Sequence, residues 1–383
     1  MSKMIIFIDM KKLTRFAACT GFILLLFFST GFHVSAQTFK RAKLPPTVIA
    51  QIDTLVEKHI HDFQYPGVAV GVTYKGHRIW TKGYGYAEIE TKKPINPDED
   101  LFRIGSISKT VTACALAREV AQKRLSLDQA IGVYYPGFPL DKKELTLRQL
   151  GGHQAGIRHY AGLEFFSNVH YRNCIDPLET FIHDTLLFEP RTKYAYSTYG
   201  WSVIGAVMEQ GLKLPFAEII NRDVTVPLQL QDLKTDQVDS LNYPRVSFYD
   251  YRDSSLQISP QVDNSNKWAG GGFLCAADDL ARFGFSLVNK GYLSRSALKT
   301  FTTPQLLKDG SATDYGIGFR SAKDDFGRNW IGHSGGSIGG TSMLQIYPEE
   351  DLVIVTLINR TGADMDGLAA KIAHILFEAG VVK

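Results

Sequence analysis

Apolar residues recur along this 383-residue chain with two different periods, and the alternation between them outlines the fold. Over residues 46–64, Val48, Ile49, Ile52, Leu55, Val56, Ile60 and Phe63 fall at helical spacing, which predicts an amphipathic helix. The next stretch, "GVAVGVTYKGHRIWTKGYGYAEI", reads as two β-rich runs joined at Lys75-Gly76, a hairpin signature. A helix is expected from Ser106 to about Ala121, with Val111, Cys114, Ala115 and Ala117 as packing positions. From 125 to 260 prolines and short amphipathic stretches replace the β-rich runs, which predicts a mostly α-helical inserted domain. Strand signals return after 310 in "DYGIGFR", "NWIGHSGG", "TSMLQIYP" and "DLVIVTLIN", with "PEED" as a turn favouring antiparallel pairing. A closing helix is expected over 364–379, from Met365, Leu368, Ile372, Ile375 and Leu376. The pattern predicts an α/β (α+β) fold: an antiparallel sheet flanked by helices, built from 40–124 and 261–383, interrupted by the insertion.

Ahead of this lies a different kind of segment. Lys11, Lys12 and Arg15 precede the apolar run "FAACTGFILLLFFSTGF", and "VSAQ" follows at 34–37. Charged, apolar and small-residue regions in that order predict a signal peptide spanning 1–36, cleaved after Ala36, and a periplasmic or secreted mature chain from 37 to 383. Met10 offers an alternative start. The competing reading keeps the run as an uncleaved membrane anchor.

Composition narrows the classes further. The apolar share is 44%, the charged share 21% and the formal net charge +3, with no basic stripe suited to nucleic acid. Beyond the leader three cysteines remain, Cys114, Cys174 and Cys275. That set is too sparse for a disulfide framework or a zinc site, and Cys114 and Cys275 read as small buried apolar residues. His59 and His61, two apart, do not share a helix face. No metal-ligand set and no cofactor motif emerges. The 34 glycines cluster in runs such as "AGGGF" and "GHSGGSIGG", which predicts close backbone approaches.

The candidate chemistry starts in "LFRIGSISKT", where Ser106 and Lys109 are three residues apart. A serine hydroxyl needs a neighbouring base to act as a nucleophile, and residues three apart share a helix face. A serine at a helix start also gains free N–H groups for a developing oxyanion. The lysine must act as a neutral amine, so burial or a second cation has to lower its pKa. The alternative reading of Ser106 is a plain helix cap. A second S-x-x-K, Ser296–Lys299, lies in polar surroundings, with Ser294 as an ordinary cap, and reads as surface helix.

Around Ser106 the chain resembles the serine β-lactamase and penicillin-binding-protein superfamily, most closely its class C and esterase-like branch. The resemblance is carried by "SISK", "LTLRQLGGHQAGI" (145–157), "YAYSTYGWSVIGAVME" (194–209), "PLQLQDLKTD" (227–236), "AGGGFLCAADDLARF" (269–283) and "GHSGG" (332–336), in that order. "IRHY" and "YSTYGW" are similar to the β-lactamase-like serine proteases of mitochondria. This resemblance implies a β-lactamase/transpeptidase-like fold with Ser106 as the acylated nucleophile, Lys109 as its proton partner and Tyr196 as the proton shuttle to the leaving group. His333 would replace the lysine of the family's third motif as a weaker cation near neutral pH. Gly335 and Gly336 would edge the site, with the Gly336 N–H as the second oxyanion donor. Thr198 would stand where the family has an asparagine, which argues for peptide or ester substrates over β-lactams. A literal Tyr-x-Asn occurs at Tyr171–Asn173, but the "YGW…IG" helix follows Tyr196 instead. The implied function is an exported serine hydrolase acting on a small peptide or ester. The alternative is a penicillin-binding or sensor module of the same fold with little turnover.

Overall fold

The computed structural model describes residues 43–238, 243–289, 291–363 and 367–383. The signal-peptide or anchor segment and Met365 lie outside the described residues. In chain order, helix α1 (Pro46–Phe63) leads into strands β1 (Gly67–Tyr74), β2 (His77–Glu88), β3 (Lys93–Pro94) and β4 (Phe102–Arg103). Helices α2 (Ile107–Ala121), α3 (Leu147–Gly151), α4 (Thr198–Leu212), α5 (Phe216–Ile220) and α6 (Val226–Leu228) follow. Then come β5 (Leu233–Thr235), β6 (Tyr249–Arg252), β7 (Ser255–Ile258), α7 (Trp268–Gly271), β8 (Phe273–Cys275), α8 (Ala277–Val288) and α9 (Arg295–Thr302). The chain closes with β9 (Arg320–Lys323), β10 (Asn329–Ser337), β11 (Gly340–Tyr347), β12 (Leu352–Ile358) and α10 (Gly367–Glu378). The 125–260 stretch is rich in helices and also carries the short strands β5, β6 and β7.

One antiparallel sheet, ordered β3-β2-β1-β12-β11-β10-β9, joins the two ends of the chain through the β1–β12 pair. Both of its faces are buried. Along β1, Val68, Val70 and Val72 join the layer under α1 and α10, while Ala69 points to the other side. β12 alternates likewise: Leu352, Ile354 and Ile358 pack on the α1/α10 side, and Val353, Val355 and Leu357 on the opposite one. Strands buried on both faces lose the apolar–polar alternation and read as nearly continuous apolar runs, as "DLVIVTLIN" does. α1 buries Val48, Ile52, Val56 and His59, one stripe of the expected helix. The β1–β2 turn has positive φ at both Lys75 and Gly76, the geometry whose twist suits a two-residue hairpin.

Residues 314–319 differ from expectation. The period-2 pattern of Tyr315, Ile317 and Phe319 predicts a strand, yet the strand begins only at Arg320, and the segment before it makes a single antiparallel bridge, Tyr315 to Arg320. These three side chains are buried in an irregular segment in which Gly318, at φ +76°, breaks extended geometry. Cys114, Cys174 and Cys275 are free and buried.

Candidate active site

The site forms where β4 turns into α2. Gly105 adopts φ +48°, and a Cβ there would fall 2.7 Å from both the N and the O of Gly336. Glycine is therefore required twice over, for the turn and for the approach of β10. At Gly335 a Cβ would lie 2.0 Å from the Ile104 carbonyl oxygen, so β10 crosses directly against the turn. Gly336, by contrast, is exposed and has open space where a side chain would project. Pairing with β9 ends at Gly332, which leaves the 333–337 side of β10 without a strand neighbour beside the cleft.

Ser106 occupies the N-cap position of α2, but its side chain makes no capping bond. Ser108 does the local work: its hydroxyl donates to the Gly105 carbonyl at 2.6 Å and accepts from the Phe273 N–H at 3.1 Å. The Ser106 hydroxyl is left for chemistry, and the plain-cap reading of this residue does not describe it.

α2 is buried almost all round, and Lys109 on its first turn has no exposed surface. Lys109 Nζ lies 3.0 Å from Ser106 Oγ, 3.1 Å from Thr198 Oγ1 and 2.6 Å from the Gly270 carbonyl oxygen. Burial lowers its pKa well below the ordinary lysine value, and the nearby Lys267 cation pushes in the same direction. Both conditions expected of the lysine are met, the first being the larger. A neutral amine has two N–H groups and one lone pair. With Gly270 and Thr198 taking the N–H groups, the lone pair faces the Ser106 hydroxyl.

Tyr196 lies just ahead of α4, and its O–H donates to Ser106 Oγ at 2.8 Å. The phenol sits in a cage of rings, 4.3 Å centroid to centroid from His153 and 6.2 Å from both Tyr315 and His333, with Lys109 Nζ 4.8 Å from its own ring centre. Burial raises its pKa above the usual tyrosine value, so it stands as a phenol and a proton donor. The N-terminus of α4 is closed by imidazoles as well as by a serine: Ser197 Oγ accepts from Gly200 N–H, His153 Nδ1 from Ser197 N–H and His159 Nδ1 from Thr198 N–H. Both imidazoles must be neutral to accept. Burial lowers His153 well below the usual histidine range and His159 to about 4.

His333 is the correction. It is only 1% exposed, and both ring nitrogens are used inside the protein. Nδ1–H donates to the Ser334 carbonyl at 2.6 Å, while Nε2 accepts from the Tyr315 hydroxyl at 2.8 Å. Burial, reinforced by Lys109, lowers its pKa to about 3. The residue is a neutral ring bracing Tyr315 and Tyr196, not a cation offered to substrate.

A cavity of about 60 Å³ opens beside the nucleophile, lined by Ser106, His159, Tyr160, Thr198, Lys267 and Gly336, among others. Sequence reasoning missed four of the residues assembled here: Lys267, His153, His159 and Tyr315. The "GGHQAG" and "IRHY" stretches did contain a signal, namely two histidines a short distance ahead of the tyrosine helix. The rejected alternatives have structural roles. Asn173 Oδ1 accepts from the Ile175 and Asp176 N–H groups in a local turn. Ser294 caps α9 through the Ala297 N–H, with Ser296 and Lys299 exposed.

The human mitochondrial serine beta-lactamase-like protein LACTB is 26% identical, the match covering 80% of this chain and 76% of that protein. Penicillin-binding protein 4* of Bacillus subtilis is 24% identical over 85% of this chain and 74% of its own length. Among solved structures, the D-amino acid amidase of Ochrobactrum anthropi in complex with L-phenylalanine superposes with a TM-score of 0.76 at 19% identity, covering 87% of this chain and 99% of that one. The family model for Beta-lactamase matches residues 52–377, from the first helix to the last, and the chain belongs to that family.

Proposed function

We propose that the protein is an exported serine hydrolase that forms an acyl-enzyme on the amide or ester of a short peptide or other small substrate. One observation carries this reading: the Ser106 hydroxyl is contacted at once by a buried amine and a buried phenol, at 3.0 and 2.8 Å. Lys109 takes the Ser106 proton as Oγ attacks the carbonyl carbon. The oxyanion develops towards the N–H groups of Ser106 and Gly336. Tyr196 gives its proton to the leaving nitrogen or oxygen as that bond breaks, and Lys109 returns the first proton to Tyr196. Water then repeats the sequence in reverse to release the acid. Relatives named D-aminopeptidase in Gluconobacter oxydans and Brucella anthropi support a peptide-like substrate. Thr198 in place of an amide side chain, its hydroxyl bound to Lys109, supports peptides or esters over β-lactams.

The test is labelling by a fluorophosphonate probe together with turnover of a panel of peptides, D-amino peptides, esters and β-lactams. Labelling should map to Ser106 and vanish in Ser106→Ala. Labelling that survives the substitution would overturn the assignment. Stoichiometric acylation without turnover would favour the sensor alternative.

A further inference from the structure

Lys267 has no place in the acylation sequence, yet it is built into the cavity beside Ser106. The residue is 3% exposed. Its ammonium donates once, to the Phe165 carbonyl at 3.3 Å, and stands 4.6 Å from the Phe165 ring centre and 5.2 Å from that of Tyr160. Among the described residues it forms no ion pair. The two acids whose charge acts on it are engaged elsewhere: Asp236 accepts from Arg103 at 2.9 Å and from Asn264 at 2.7 Å, and Asp263 accepts from the Ser265 N–H and pairs with His170 at 2.8 Å. A buried ammonium with two of its three donors unspent is costly unless something in the cavity takes them.

The position of the cavity indicates which part of a substrate enters it. The leaving group must face Tyr196, which protonates it. Tyr196 packs against His333 and Tyr315 and meets the cavity only through the edge of His159; the cavity itself is lined by Ser106, Thr198, Lys267 and the oxyanion-side Gly336, and not by Tyr196. The acyl part of the substrate therefore occupies the cavity. At about 60 Å³ the space suits a short group of a few heavy atoms.

Resting on the hydrolase reading above, we propose that Lys267 is a specificity residue of this site, receiving a carboxylate carried on a short acyl-side chain of the substrate. Tyr160 and Phe165 hold the cation by their ring faces, and the carboxylate completes its hydrogen bonding. Burial lowers Lys267 to about 7, with Arg103 adding to the shift and Asp236 and Asp263 opposing it; Lys267 in turn acts on Lys109 and His159. An anion in the cavity favours the charged form.

The experiment compares N-acetyl-aspartyl and N-acetyl-asparaginyl 4-nitroanilides, in both configurations, with fluorophosphonate labelling of Ser106 as the parallel control. The two side chains have nearly the same shape, so the ratio of kcat/KM reads the charge. The aspartyl substrate should be preferred at least about tenfold in one configuration. Lys267→Met should remove that preference and Lys267→Arg should retain part of it. In the unsubstituted protein the ratio should shrink as pH rises above Lys267 titration, since the other titrating groups act on both substrates alike. That arm decides the matter should the methionine variant fail to fold. Labelled Ser106 with no aspartyl preference, or a preference surviving in Lys267→Met, would overturn the role of Lys267 alone. Absent labelling and absent turnover would remove the hydrolase reading, and the assignment with it.

Discussion

Two S-x-x-K segments stand in this chain, and only their surroundings distinguish them. Ser106–Lys109 begins a helix buried on nearly every side, with its lysine fully enclosed and its serine free of any capping bond. Ser296–Lys299 rides on α9, where the cap belongs to Ser294 and both motif side chains face solvent. An exposed ammonium keeps its proton at neutral pH and cannot act as a base, whereas burial beside a second cation strips the same group of its charge. The motif supplies the spacing; the low-dielectric enclosure supplies the chemistry.

The largest effects should separate the two copies outright. Ser106→Ala should lower turnover by about 10⁴-fold or more, as loss of a nucleophile acting in a unit does, while Ser296→Ala leaves it unchanged. Equal losses in steady-state assays would break the comparison. Lys109→Met should cost about 10²–10⁴-fold in kcat, the range for a removed acid–base group, against no change for Lys299→Met. Tyr196→Phe should fall in a similar range for amides but show a much smaller loss on a nitrophenyl ester, whose leaving group departs without a proton. A uniform loss on both substrates would assign the phenol a merely packing role. The smallest effect belongs to the second copy: Ser294→Ala should destabilise the protein by about 0.5–2 kcal/mol in a denaturant titration, with activity per folded molecule unchanged.

The same contrast explains what could be read from the sequence and what could not. α1, the Lys75-Gly76 hairpin and β12 were legible because their periods reflect burial along a single element. Ser106, Lys109 and Tyr196 were legible because local spacing and a family resemblance point to them. His333 was legible as a position but not as a state. Its neutrality depends on a hydroxyl from Tyr315, eighteen residues away in a segment whose alternating pattern reads as a strand and folds as an irregular loop. Lys267 carried no local mark. It sits in "NSNKWAGGG" among polar residues that suggest an exposed turn, and it is buried with its ammonium over the rings of Tyr160 and Phe165, about a hundred residues earlier. The burial of a charge is a property of distant chain segments meeting, which no window of sequence records.

The pH dependence of Ser106 acylation by an uncharged substrate tests the central claim, a neutral Lys109, most directly. With Lys109 titrating well below the ordinary lysine value and Tyr196 still a phenol, the rate should reach its plateau well short of pH 10.5, falling only on the acid side as Lys109 takes up its proton. A rate that goes on climbing up to the ordinary lysine value of 10.5 would contradict the account.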